Sequence, residues 1–207
     1  MKVLMLNGSA NEKGCTYTAL TEVGKTLEKN GVSYEIYQLG KKAVRDCIAC
    51  GKCEGKGCIF TDDGVHEFIE KAKEADGFVF GSPVYYAHPS GRVLSFLDRV
   101  FYSTSKKYFI GKPGAAVVSA RRAGTTASMD VLNKYFSISA MPIVSSTYWN
   151  MVHGNTPQEV SQDLEGLQIM RNLGTSMAWM IKAFHTAKEN GVELPRLENA
   201  CRTNFIR

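Results

Sequence analysis

The chain has 207 residues, 44% of them hydrophobic and 22% charged, which fits one generous domain with a core of its own. A net charge of +5, with lysines and arginines scattered instead of gathered into a stripe, argues against nucleic acid as a partner. No apolar run approaches the ~20 residues of a membrane span. The opening Met1-Lys2-Val3-Leu4-Met5-Leu6-Asn7-Gly8 is too short for a secretory signal, so the expected location is the cytoplasm, away from membranes.

Residues 2–7 form a nearly continuous apolar run stopped by Gly8-Ser9, the pattern of a buried parallel strand. Residues 16–30 carry Ala19, Leu20, Val23 and Leu27 at helical spacing and end at Asn30-Gly31. Residues 32–39 alternate as a second strand. A long loop over 40–61 follows, and long loops in compact domains tend to be functional. Residues 64–75 read as an amphipathic helix, with Asp62-Asp63 at its positive end.

Further strands are expected at 77–81, 115–119 and 142–147. They alternate with helices over 90–102, 125–139 and about 157–190, the last bent near Gly166 or Gly174. Five strands alternating with helices predict a single α/β domain over 1–190, a parallel sheet covered on both faces, with 191–207 as a tail.

In such sheets ligands bind beyond the carboxyl ends of the strands. Three loops leave those ends with unusual composition. The first, Asn7 to Thr18, offers glycines for close backbone approach and the hydroxyls of Ser9, Thr16 and Thr18 at a helix N-terminus, which suits a phosphate. It is neither a Walker loop nor G-x-G-x-x-G. The second, Gly81-Ser82-Pro83-Val84-Tyr85-Tyr86-Ala87-His88-Pro89-Ser90-Gly91, mixes prolines, tyrosines and small residues, which suits a flat aromatic ligand. The third, Ser119-Ala120-Arg121-Arg122-Ala123-Gly124-Thr125, places two arginines where an anionic edge could meet them. Each loop alone is equally readable as an ordinary connection: a capping threonine, tyrosines padding a helix, a solvated arginine pair.

Taken together the chain resembles the flavodoxin-like NAD(P)H-dependent FMN reductases, and its cysteine segment is similar to the iron–sulfur flavoprotein branch. The residues that carry the likeness are Gly8-Ser9 with Gly14-x-Thr16, C-x2-C-x2-C-x4-C followed by Asp62-Asp63, Ala75-Asp76-Gly77, Gly81-Ser82-Pro83-Val84-Tyr85 and Asp98-Arg99. The resemblance implies a doubly wound five-stranded sheet in the order 2-1-3-4-5. It implies FMN, with its phosphate on the turn of Ser9, Cys15, Thr16, Tyr17 and Thr18. Cys15 replaces an Asn common in the family, which leaves it a backbone contact only. Pro83, Val84, Tyr85 and Tyr86 would border the isoalloxazine, and Ser119, Arg121 and Gly124 would close its other side. It further implies NAD(P)H as donor, a small-molecule acceptor such as a quinone or flavin, and a homodimer or homotetramer, with Tyr148-Trp149-Asn150 and His153-Gly154 contributing to that interface or to the substrate pocket. Asp98-Arg99 is expected to be a structural ion pair.

Cys47, Cys50, Cys53 and Cys58 put four thiols into twelve residues. A reducing compartment disfavours disulfides. Thiolates at i, i+3 and i+6 can wrap three corners of a cubane, and Gly51, Gly55 and Gly57 give the chain the turns to bring in the fourth. The alternatives are zinc, whose usual pattern is two well-separated C-x2-C pairs, and a reduced loop without metal. A [4Fe–4S] cluster beside FMN is the expectation, and Cys201 has no assigned role. Two functional readings follow: an FMN-dependent NAD(P)H oxidoreductase, or an electron carrier served by a ferredoxin-like protein. A flavin-binding sensor without turnover is the third.

Overall fold

A computed structural model of the protein describes residues 1–198, 200, 201 and 203–205. Five strands run parallel, β1 (Lys2–Asn7), β2 (Ser33–Gln38), β3 (Gly77–Tyr85), β5 (Gly114–Ala120) and β6 (Met151–His153), with a two-residue β4 (His88–Pro89) turned back antiparallel on β3. The sheet runs β2-β1-β3-β5-β6. With the short β4 set aside, that is the order 2-1-3-4-5. The helices are α1 (Cys15–Lys29), α2 (Val65–Lys73), α3 (Gly91–Ser103), α4 (Thr125–Ser137), α5 (Pro157–Val160) and α6 (Leu164–Glu189).

Strand periodicity divides the core into two chemically different layers. Leu4, Leu6, Phe78 and Phe80 face α2, α3 and α4, where Phe68, Phe96, Phe101, Phe109 and Phe136 build an aromatic layer. Val3, Met5, Val79 and Val117 face α1 and α6, an aliphatic layer of Leu20, Val23, Leu27, Leu173 and Met177. Helices α1 and α6 approach closely because Gly174 has no side chain: a Cβ there would stand 2.8 Å from the Val23 carbonyl oxygen. Among the described residues no helix is long and apolar enough to cross a membrane.

Two expectations need correction. The fifth strand does not occupy 142–147. Ile143 makes one parallel bridge to Gly114, after which the chain leaves the sheet and rejoins it as β6 beside Val118 to Ala120. The hydroxyls of Ser146 and Thr147 explain the departure: Ser146 donates to the Ile169 carbonyl at 2.8 Å, and Thr147 accepts from Asn172 at 2.9 Å. Those bonds tie the segment to α6 instead of β5. The last helix is also two helices. Thr156 caps α5, and Asp163 caps α6 by accepting the Gly166 N–H at 2.9 Å. Gly166 permits this cap, since a Cβ would stand 2.3 Å from the Asp163 carboxylate.

Candidate functional site

The order of strands reverses between β1 and β3, so the crevice of the fold opens above their carboxyl ends. Strand β1 stops at Asn7 opposite Gly81, and the Gly8 N–H donates to the Gly81 carbonyl at 2.9 Å. Strand β3 continues four residues further, Ser82 and Pro83 pairing with β5 and Val84 and Tyr85 with β4. Pro83, with no N–H to give, is tolerated there because the side toward β1 has no ladder left to join.

The first loop is organised by a buried amide. Asn7 accepts the Ser9 N–H at 3.2 Å and donates to the Glu12 carbonyl at 3.1 Å and to Gln38. Ser9 is buried, its hydroxyl accepting the Asn11 N–H at 3.1 Å. Helix α1 then begins at Cys15 behind Gly14, with no side-chain cap and no acidic residue in its first turn. The amides of that turn and the positive end of the helix dipole face the crevice without a competing carboxylate. Thr18 turns its hydroxyl back to the Gly14 carbonyl at 3.2 Å, and Tyr17 is half-buried on the same turn. The Cys15 thiol points at the Gly154 carbonyl, 3.6 Å away, and burial pushes its pKa up.

Thr16 and Ser119, both buried, share a hydrogen bond of 2.8 Å. This joins the first loop to the third across 103 residues of sequence. The second loop is a hairpin, not an open loop. Tyr85 pairs with His88, and Tyr86 and Ala87 at the tip both have positive φ, 51° and 59°. Tyr86 is fully exposed, Tyr85 is half-exposed, and Val84 packs against the aromatic layer. Gly124, which precedes α4 with φ of 94°, meets this hairpin so closely that a Cβ would stand 2.5 Å from the Ala87 Cα. Arg121 lies exposed beside it. Ser9, Thr16, Ser119, Val84 and Gly124 are thus brought into one wall system. The sequence reading missed Asn7, Gln38 and Ser82, which accepts the Ser90 N–H at 3.0 Å. A polar residue closing an apolar strand was the available signal for Asn7 and Ser82.

The cysteine segment lies across α3. Residues 40–64 contain no helix or strand, and Gly51, Gly55 and Gly57 all take the positive φ their turns require. Cys53 is buried, Cys50 and Cys58 are half-buried, and Cys47 is exposed. All four line one small pocket with Phe60 and Arg99. Burial pushes the Cys53 thiol up, and the nearby Cys58, Cys50 and Cys47 add to the effect. Among the described residues no three His, Cys, Asp or Glu side chains form a group that could hold a metal ion. Arg99 does form a structural ion pair, but with Asp63 and not with its neighbour; Asp98 instead accepts the Tyr135 hydroxyl at 2.5 Å.

Residues 1–156 match the family described as NADPH-dependent FMN reductase. The chain belongs to that family. An iron–sulfur flavoprotein of Methanocaldococcus jannaschii is 31% identical over 195 residues, covering 88% of this chain and 98% of the relative. That relative places the chain in the iron–sulfur flavoprotein branch, and the family match makes it an oxidoreductase flavoprotein. Solved structures with the same fold include a flavone reductase, TM-score 0.68 at 16% identity, covering 90% of this chain and 65% of that one. Another is a flavoenzyme NAD(P)H:(acceptor) oxidoreductase from Paracoccus denitrificans, TM-score 0.64 at 11% identity, covering 88% and 97%.

Proposed function

We propose that the protein is an FMN-dependent oxidoreductase that passes electrons from NADH or NADPH to a quinone, flavin or similar flat acceptor. The observation that carries this reading is the uncapped N-terminus of α1, opening into a crevice that the hairpin tip and the Ser119–Gly124 loop also border. The first-turn amides of α1, with the hydroxyls of Ser9 and Thr16 and that of Thr18 once turned from the Gly14 carbonyl, would hold a phosphate dianion; Cys15 and Tyr17 would contribute backbone N–H groups. Pro83, Val84, Tyr85 and Tyr86 would lie along one edge of the ring, and Ser119, Arg121 and Gly124 along the other. When bound, FMN supplies hydride acceptance from a nicotinamide and one- or two-electron delivery to an acceptor. The chain's own work is to orient the ring and keep one face of it open, and no acid–base triad is required.

Cys47, Cys50, Cys53 and Cys58 would hold a [4Fe–4S] cluster. Such a cluster distributes its thiolates over separate irons, so it needs sulfurs around a shared space and not four sulfurs converging on one ion. Four free cysteines lining one pocket fit that demand. When present, the cluster supplies one-electron storage. The exposure of Cys47 at the rim favours a second reading, an electron carrier served by a ferredoxin-like protein through that rim. Exposed Tyr148 and Trp149, on the segment that leaves the sheet, support assembly as a homodimer or homotetramer. A cytoplasmic location is consistent with six free thiols.

Anaerobic mixing with NADH and NADPH separates the two readings. Rapid bleaching of the flavin band is expected, and its absence with both donors overturns the nicotinamide-dependent reading. Reduction only by a low-potential protein donor supports the carrier. Anaerobic reconstitution followed by iron and sulfide assay tests the cluster, and no bound iron overturns it.

A further inference from the structure

Arg99 reaches further than an ordinary core ion pair. It lies two turns into α3, fully buried, and each of its five N–H donors has a partner. Nε donates to the Cys58 sulfur at 3.2 Å. Nη1 donates to the Arg45 carbonyl at 3.2 Å and to the Asp63 carboxylate. Nη2 donates to the Phe60 carbonyl at 3.2 Å and to the other Asp63 oxygen at 3.1 Å. Its guanidinium also stands 5.3 Å from the centre of the Phe60 ring. One side chain therefore touches residues 45, 58, 60 and 63, on both sides of the four cysteines, in a segment with no helix or strand of its own.

Burying an ion pair is expensive, and apolar residues often fill such a position at equal or better stability. An apolar side chain could not tie together two carbonyls, a carboxylate and a sulfur. Lysine could not either, since it has three donors on a point charge and no planar fork. The same helix begins at the flavin crevice, where the Ser90 N–H meets Ser82 and Val93 packs against Gly8. At 1.5 Å per residue, Arg99 lies about 14 Å along α3 from Ser90.

We propose that Arg99 is a positioning residue for the cysteine pocket. It clamps both ends of the cysteine segment onto α3 whether or not a metal group is bound. By aiming an N–H and a buried positive charge at the Cys58 sulfur, it also raises the reduction potential of a cluster held there. A donor to a cluster sulfur stabilises the reduced, more negative form over the oxidised one, and such outer contacts are among the levers that set cluster potentials. The clamp stands on the observed contacts alone; the effect on potential rests on the cluster reading given under Proposed function.

The test compares the wild-type chain with Arg99→Lys, Asp63→Asn and the double variant Arg99→Met/Asp63→Leu, which removes the pair together and keeps the interior filled. In protein without iron, amide hydrogen exchange over 45–63 is expected to quicken at least tenfold in each variant, with β1, β3 and β5 unchanged. Unchanged exchange over 45–63 overturns the clamp, and so does loosening spread evenly through the sheet. In reconstituted Arg99→Met/Asp63→Leu protein, titration followed by electron paramagnetic resonance should show the cluster about tenfold harder to reduce, or about 59 mV lower for one electron. Lysine should recover only part of that shift, and the flavin potential should not move. Equal cluster potentials overturn the tuning role. Wild-type protein that takes up no iron overturns the tuning role together with the cluster reading, while exchange still decides the clamp.

Discussion

A methyl group on Gly8 would stand 2.0 Å from Val93 Cγ2 and 2.7 Å from the Gly81 carbonyl oxygen. Gly8→Ala should therefore push β1 and α3 apart exactly where the first loop starts, at a cost of about 1–3 kcal/mol in urea unfolding, and weaken FMN binding followed by flavin fluorescence. Adding Val93→Ala should restore part of both, because the backbone oxygen of Gly81 cannot be removed. Strain of another kind sits at the hairpin tip, where Tyr86 and Ala87 both hold positive φ without being glycine. Replacing the pair by Asn-Gly should raise thermal unfolding stability by about 1 kcal/mol, since that pair suits two left-handed positions. If Tyr86 borders the acceptor, the KM for a quinone should rise in the same variant. Residues of this kind were half legible. The glycines, tyrosines and hydroxyls drew notice in the sequence, but nothing local indicated that the Thr16 hydroxyl faces Ser119 and not open solvent.

Element boundaries depend on caps and on bonds between elements. Asp163 accepts the Gly166 N–H at 2.9 Å and the His153 N–H at 2.7 Å, joining the end of β6 to the start of α6. Asp163→Ala should cost about 1–2 kcal/mol in chemical unfolding, as lost caps do, and should loosen Gly154, against which Cys15 is seated. Glu35 on β2 bonds Lys2 of β1 at 2.5 Å and Lys71 of α2 at 2.8 Å, and these bonds hold its pKa below the ordinary glutamate value. A lowered carboxylate pKa contributes stability that is complete above the ordinary value and is lost as pH falls through the lowered one. Glu35→Gln should thus flatten the acid limb of stability against pH by up to about 1 kcal/mol, with little change at pH values below both. The alternation of strands and helices was readable because a run of apolar residues and a helical period are local. The position of the fifth strand was not, since the hydroxyls of Ser146 and Thr147 find their partners on α6.

Across the molecule, the parallel sheet separates an aromatic layer from an aliphatic one and leaves a crevice at the β1/β3 reversal. Among the described residues of the tail, Leu194 lies over Gly111 but stays 60% exposed. A chain ending at Gly191 should keep its flavin and lose no more than about 1 kcal/mol, the order of one partly buried leucine. A larger fall in melting temperature would make the tail part of the domain.

The sequence by itself determined the α/β class, the glycine-hydroxyl turn before α1, the tyrosine-bearing connection after β3 and the four-thiol segment, because all of these are written in neighbours a few residues apart. Tertiary structure alone decided what those pieces meet. Thr16 bonds Ser119 from 103 residues away, and Arg99 gathers Cys58 and Asp63 from 41 and 36 residues away. Such pairings depend on which elements the folded sheet brings side by side, and a buried polar group must then find its partner there or lose its hydrogen bond.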